Sequence, residues 1–295
     1  MYTEEQKQKT RDRLARYVQR YPSLNMAAAS LRDISAATVS NILGGKWNLI
    51  GEKMWLRLEA QLARNDGWQI YATRAYQDMT LYLRVAQEES RVMWIAAPAG
   101  IGKSTAAGSY AALNRNVFRL TCSSDMTKTD FVQELAALVG VRTGGLTVRA
   151  AFSELLRHLV TLQKPLLVFD EADKLPDSVM YYFISIYNAL EDRAGIVFLS
   201  TNYIRQRIRR GVEKGKKGYD ELESRICRSY VDLTPVSASE VEQICLANGL
   251  QARDGIARVK TEGGRYGNDL RRVKSVVRTE LRKMDLFSGQ EEAAE

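Results

Sequence analysis

The chain has 295 residues, 45% of them hydrophobic, which permits a real core and either two domains or one domain with appendages. No apolar run is long enough to span a membrane, and the charged start MYTEEQKQKTRDR is unlike an export leader, so membrane and exported classes are excluded from expectation. Net charge of +8 points to a polyanionic partner, although a diffuse positive surface gives the same total, and three cysteines without paired or metal-like spacing (Cys122, Cys227, Cys245) read as reduced thiols that fit the cytoplasm.

Residues 1–66 are predicted to form a separate small all-α domain. Leu14, Tyr17 and Val18 fit one face of a first helix that stops before Pro22. LNMAAASLRD reads as a short Ala-rich helix. After Ile34, SAATVSNILGGKW reads as another, capped by Ser35 and ended by Gly44 and Gly45. A last helix, EKMWLRLEAQLA, places Met54, Leu58 and Leu62 on one stripe. Helix, tight turn and helix make the layout of a helix-turn-helix. TVSNILGGK resembles the phage-repressor type, which implies that Thr38, Ser40 and Asn41 face DNA and that Lys46 meets phosphate. A helical protein-docking module without DNA contact is the alternative.

Residues 64–78 mark the passage into a second domain, 67–234. Tyr71, Ala75, Met79 and Tyr82 recur at helical spacing, as expected of a helix packed on a sheet. Then comes the phosphate-loop pattern. A strand, Val92 to Ile95, leads into APAGIGKST, where Gly100 and Gly102 permit a turn and Lys103 and Ser104 open a helix. Consecutive backbone N–H groups and a helix N-terminus can then point at phosphate oxygens. In G-x-x-x-x-G-K-[ST], Lys103 bridges the β and γ phosphates and the Ser104 hydroxyl holds Mg2+. Pro98, Ala99, Gly100, Ile101, Gly102, Lys103, Ser104 and Thr105 are therefore the nucleotide-contacting set. Ala97 stands where the first glycine belongs, and binding is expected to survive because Gly102, Lys103 and Ser104 carry the phosphate and metal chemistry.

VFRLTC, residues 117–122, reads as the second strand. The loop SSDMTKTD and the turn VRTGGL that follow each pair a threonine with a base, Lys128 and Arg142 respectively. His158 lies in the helical pattern AFSELLRHLV, where a structural role is expected. Leu166 to Phe169 form a continuous apolar run, the signature of a strand buried on both faces of a parallel sheet. Asp170 and Glu171 close it at the C-terminal end, where ligands bind in open α/β sheets. Asp170 would complete the Mg2+ site through water, and Glu171 would orient and deprotonate the attacking water. A helix start enriched in acids is the plainer reading. A third apolar run, Ile196 to Leu199, ends in Ser200, Thr201 and Asn202, and its polar end is expected between the two earlier strand ends.

From Arg205 to Lys217 seven basic residues (Arg205, Arg207, Arg209, Arg210, Lys214, Lys216, Lys217) stand against Glu213 alone, with Gly211, Gly215 and Gly218 interspersed. This reads as a mobile cationic loop, with a solvated loop lacking any partner as the alternative. Beyond Pro235 the pattern is helical, and residues 253–283 hold ten Lys or Arg against four Asp or Glu. This stretch reads as a helical lid, 235–287, before an acidic tail, 288–295, expected to be disordered.

The order of these elements resembles the AAA+ ATPases. That resemblance implies an α/β fold, a P-loop core with a parallel sheet and helical lid, using ATP and Mg2+. It makes Asn202 the sensor 1 residue, with Thr201 as the alternative. ESRI at 223–226 is similar to the arginine-finger segment and GNDLRRV at 267–273 to the sensor 2 helix, which points to Arg225 and Arg271. An unrelated solvated arginine is the competing reading at both.

Helix-turn-helix, minimal core and short basic lid together resemble the transposition ATPases of the phage Mu B type, with IstB and TnsC as relatives. The resemblance implies a cytoplasmic protein of a bacterial host that forms a homo-oligomeric filament or ring on double-stranded DNA. It would select the target and deliver it to a transposase, whose contact stimulates ATP hydrolysis. Lys128 and Thr143 would then line the DNA-facing surface. Arg142, Arg205, Arg207, Lys216 and Lys217 join them from charge alone. A replication-initiator or helicase-loader ATPase shares every motif named, and a nucleotide-switched transcriptional regulator shares the helix-turn-helix. DEAD at 170–173 as a helicase box is discounted, because a second RecA-like domain needs more chain than follows residue 203.

Overall fold

The computed structural model describes residues 3–18, 21, 23–31, 33–64, 68–225 and 230–291. Pro22, Ile226, Cys227, Asp66 at the expected domain edge and the last four residues of the acidic tail lie outside them. The chain folds into two compact units, Met1–Ile70 with Leu246–Gly249, and Tyr71–Cys245 with Leu250–Glu295. The lid helices thus belong, for the most part, to the same unit as the sheet.

The first unit is all-helical: α1 (Glu4–Val18), α2 (Leu24–Ala29), α3 (Ala36–Leu43) and α4 (Glu52–Arg64), with a short 3-10 turn at Trp47–Leu49. Ser23 and Ser35 start α2 and α3 by accepting the backbone N–H groups of Met26 and Thr38. Leu14, Tyr17, Ala27, Ala28, Val39, Ile42, Trp55, Leu58 and Leu62 form the core. Met54, Leu58 and Leu62 face this core as expected, Met54 half-buried at its edge, and Trp55 adds a fully buried ring.

The second unit is α/β, as expected. Its elements run α5 (Arg74–Glu88), β1 (Val92–Ala96), α6 (Lys103–Leu113), β2 (Val117–Thr121), α7 (Lys128–Val139), α8 (Val148–Thr161) and β3 (Leu166–Asp170). A 3-10 turn at Ala172–Lys174 precedes α9 (Asp177–Leu190), β4 (Gly195–Ser200), α10 (Tyr203–Glu213), α11 (Tyr219–Arg225) and β5 (Tyr230–Val231). The lid is α12 (Ala238–Ala247), α13 (Arg253–Gly264) and α14 (Leu270–Glu291), so helix continues past residue 287 into the stretch expected to be disordered. In α5 the buried stripe is Ala75, Met79, Leu83 and Ala86; Tyr71 precedes the helix and Tyr82 is half-buried.

All strand pairs are parallel, in the order β2-β3-β4-β1-β5. β3 and β4 are buried at every residue, which their unbroken apolar runs require. Trp94, Phe169, Phe183 and Phe198 stack through the centre at centroid distances of 4.5–5.3 Å, and such pairs add about 0.5–1.5 kcal/mol each beyond area burial. Trp94 keeps its indole satisfied by donating to Ser200 Oγ at 2.7 Å. Because β4 lies between β1 and β3, the polar end of β4 falls between the phosphate loop and the acidic strand end. Among the described residues no helix is long and apolar enough to cross a membrane.

Candidate nucleotide site

The phosphate loop leaves the sheet late. Ala97 N donates to Ser200 O at 3.2 Å, so the residue continues the β1–β4 pairing and is buried. The left-handed backbone positions of the loop are Gly100 (φ 76°) and Gly102 (φ 102°). Alanine at 97 is therefore tolerated: the turn asks for glycine three and five residues later. Gly102 caps α6 without a side-chain bond, leaving first-turn N–H groups available to an anion. Lys103 Nζ donates to Ala97 O at 2.6 Å and Pro98 O at 2.8 Å, holding the ammonium against its own loop. Burial lowers the Lys103 pKa from its ordinary value; the charges of Asp170 and Asp173 oppose that shift, and Arg271 adds to it. The phosphate loop, the end of β3 with the turn after it, and the lid thus all act on one ammonium.

Asp170 ends β3 at 1% exposure. Arg119 meets it, donating to Oδ2 from Nη2 at 2.7 Å and from Nε at 3.2 Å. Thr121 is the register partner of Asp170, and Arg119 lies two residues earlier on the same face of β2. Glu171 follows in the left-handed region (φ 57°, ψ 35°), which costs a non-glycine residue roughly 1–2 kcal/mol, and its carboxylate accepts Lys174 Nζ at 2.6 Å. At the end of β4, Thr201 Oγ1 donates to Asp173 Oδ2 at 2.6 Å, whereas Asn202 is exposed at the start of α10 without a side-chain cap bond. Of the two candidates at this strand end, Thr201 is the one tied to the acidic turn, and Asn202 faces outward.

Residues 86–208 match the family model of the AAA domain. No curated protein matches the sequence. Among solved structures, NtrX from Brucella abortus in complex with ATP is similar at 14% identity and a TM-score of 0.46, over 84% of this chain and 59% of that one. The chain therefore spans about three fifths of that protein. The RuvB Holliday junction branch migration motor of Thermotoga maritima is similar at 15% identity and a TM-score of 0.36, over 70% of this chain and 68% of that one.

Beyond the AAA-domain match, the lid closes onto the loop. Leu270 N donates to Gly100 O at 2.8 Å, and the Asp269 carboxylate lies so near that a Cβ on Gly100 would stand 2.1 Å from it. Asp269 Oδ1 accepts the N–H groups of Arg271 (2.8 Å) and Arg272 (3.3 Å), which starts α14 and sets Arg271 in its first turn. The glycine at 100 is thus required both by its φ and by the lid. The residues present suit Mg2+: the Ser104 hydroxyl and Asp170 carboxylate are hard oxygen donors, and that ion takes one or two carboxylates and fills its shell with phosphate and water. Among the described residues no group of three or more His, Cys, Asp or Glu forms a metal site of its own.

The basic stretch after Asn202 requires a correction. It is no mobile loop: Arg205, Arg207, Arg209 and Arg210 lie on helix α10, and Gly211 is packed so closely on Tyr219 that a Cβ would stand 1.9 Å from the ring. Arg207 turns inward, donating to Asp177 Oδ1 at 2.5 Å and to Asp173 O at 2.8 Å. Lys216 also meets Asp177 (3.2 Å), Arg205 meets Asp232 (2.6 Å) and lies over the Tyr230 ring, and Arg209 meets Glu213 (3.6 Å). Among the described residues Arg210, Lys214 and Lys217 are exposed and without an ion pair. Burial pushes the Asp177 pKa up, but hydrogen bonds from Tyr219, Arg207 and Lys216 outweigh it and hold it down at about 2.

The remaining candidates are scattered. Arg225 sits exposed at the end of α11, paired with Glu221 at 3.0 Å and with Asn188. Lys128 opens helix α7 instead of lying in a loop, and is exposed; Arg142 is exposed and Thr143 half-buried in the turn after that helix. In the helical unit Ser40 is exposed on α3, Asn41 is half-buried, and Thr38 shares a hydrogen bond with Ser35 at 2.9 Å. Sequence reasoning missed Arg119, Asp269 and Lys174. Lys174 had a local signal, a base three residues after Glu171, and so did Asp269, an acid directly before the helix whose first N–H groups it accepts.

Proposed function

We propose that the protein is an ATPase that uses ATP to assemble on duplex DNA and delivers that DNA as a target to a transposase, in the manner of the Mu B-type family it resembles. The nucleotide half of the reading rests on one observation: Lys103, Asp170, Thr201 and the lid residue Leu270 gather around the phosphate loop at the C-terminal ends of the central strands β1, β4 and β3. Lys103 would exchange the carbonyls of Ala97 and Pro98 for phosphate oxygens. Ser104 and Asp170 would hold Mg2+, which neutralises charge on the phosphates when bound. Glu171 leaves Lys174 and takes the proton of the attacking water. Thr201, held by Asp173, stands where the γ phosphate can be sensed, and Arg271 enters with the lid.

Arg225, exposed at the end of its helix, would reach the phosphate of a neighbouring protomer, so nucleotide favours assembly by mass action. The DNA half is supported by the net charge of +8, by exposed Lys128, Arg142 and Lys217, and by the helix-turn-helix layout of α2 and α3 with Ser40 exposed. Repeated protomers each offering a few cations would bind with little base preference and steep salt dependence. Sedimentation and electron microscopy with random duplex DNA, with and without ATP, test this. Nucleotide-dependent oligomers along DNA are expected, and Lys128→Glu should weaken binding to all sequences alike. A protomer that stays single under every condition, or a loss confined to one sequence, rejects the reading.

A further inference from the structure

The buried carboxylate that ends β3 is matched by a cation that no nucleotide motif contains. Both guanidinium bonds from Arg119 fall on Asp170 Oδ2, at 2.7 and 3.2 Å, and Oδ1 accepts Glu171 N at 3.1 Å. Two elements build the pair: β2 supplies Arg119 and β3 supplies Asp170. Nearby, Glu171 is matched by Lys174, and Asp173 accepts Thr201.

Building on the nucleotide-site reading above, we infer that Arg119 is a positioning residue for Asp170 and offsets its charge beside the phosphates, so that ATP binds without a divalent ion and the ion is needed for hydrolysis. Without Arg119 an unmatched buried carboxylate would face a polyanion, and like charges at a few ångströms repel strongly where water is excluded. A divalent ion supplies the missing positive charge. The loss of Arg119 is therefore felt most when no such ion is present.

The test is equilibrium binding of a fluorescent ATP analogue to the full chain, in Mg2+ and in EDTA. Wild type is expected to bind in both. Arg119→Met should lose about tenfold or more in EDTA and less than about threefold in Mg2+. Arg119→Lys should keep most of the metal-free affinity, since it keeps the charge and loses the planar fork. Arg119→Met with Asp170→Asn should regain the wild-type metal-free affinity, because no carboxylate remains to be offset. Circular dichroism checks folding. Should the methionine variant not fold, Arg119→Gln, which keeps a hydrogen bond and drops the charge, carries the same expectation. Equal losses in both conditions, no loss in EDTA, or wild-type binding in Mg2+ alone overturns the inference. No nucleotide binding by wild type under either condition overturns the nucleotide-site reading as well.

Discussion

The phosphate loop with its lid and the basic helix α10 both gather cations, yet they hold them in different ways. Lys103 rests on neutral backbone carbonyls, at 2.6 and 2.8 Å, and Arg271 stands exposed in the first turn of α14. Among the described residues neither carries an ion pair. Helix α10 and the turn after it carry more formal charge, but Arg205, Arg207, Arg209 and Lys216 are matched by Asp232, Asp177 and Glu213. A run of like charges in a sequence is thus a poor measure of charge available to a partner, because matching acids arrive from distant segments.

Breaking the first region should have the largest effect. Lys103→Ala removes the ammonium that would meet the phosphates, and a lost charge partner of this kind costs binding at least ~30-fold; ATP-dependent DNA binding should vanish with it, as a filter or gel-shift assay would record. If Lys103→Ala bound random duplex DNA as well as wild type in ATP, the proposed coupling would be wrong. Glu171→Gln should keep ATP binding and slow hydrolysis by about 10²–10⁴-fold, leaving long-lived DNA complexes in a phosphate-release and dissociation experiment.

Within the second region the contrast lies between inward and outward bases. Arg207→Ala leaves Asp177 short of a donor and should destabilise the fold by about 1–3 kcal/mol in thermal or urea unfolding. Acid titration sharpens the same point. The folded-state pKa of Asp177, about 2, lies below its unfolded value of roughly 4, so its pairing stabilises the protein above that unfolded value. That contribution is lost as pH falls from ~4 towards 2, and Asp177→Asn should flatten this part of the unfolding profile. The smallest effect is expected for Lys217→Ala: stability within about 0.5 kcal/mol of wild type, and a DNA-binding salt slope lower by ~1.

Much of the nucleotide site was legible because its parts are local. Gly100, Gly102, Lys103 and Ser104 lie on one turn, and an unbroken apolar run carries Asp170 and Glu171 to a strand end. Caps such as Ser35 are equally local, since donor and acceptor are three residues apart. Arg119 was not legible: it is 51 residues from Asp170, and an arginine on a strand reads as surface until its neighbour is known. Arg207 stands 30 residues from Asp177, so the stretch around it looked like a free loop. That Thr201 meets Asp173 depends on a contact 28 residues away, and Trp55 joins Met54 against the helical core because both lie within about one turn of Leu58.

The amino-acid sequence alone determined that a parallel α/β unit with a phosphate loop follows a small helical unit, since helix periods, caps, left-handed glycines and buried apolar runs act over a few residues. Tertiary structure decided which charges are matched, that Asp269 and Leu270 of the lid lie on Gly100, and that α10 is a helix fastened to Asp177 and Tyr219. Those outcomes depend on chain segments tens to hundreds of residues apart being folded to within a few ångströms, where Coulomb attraction and exclusion of water first act between them.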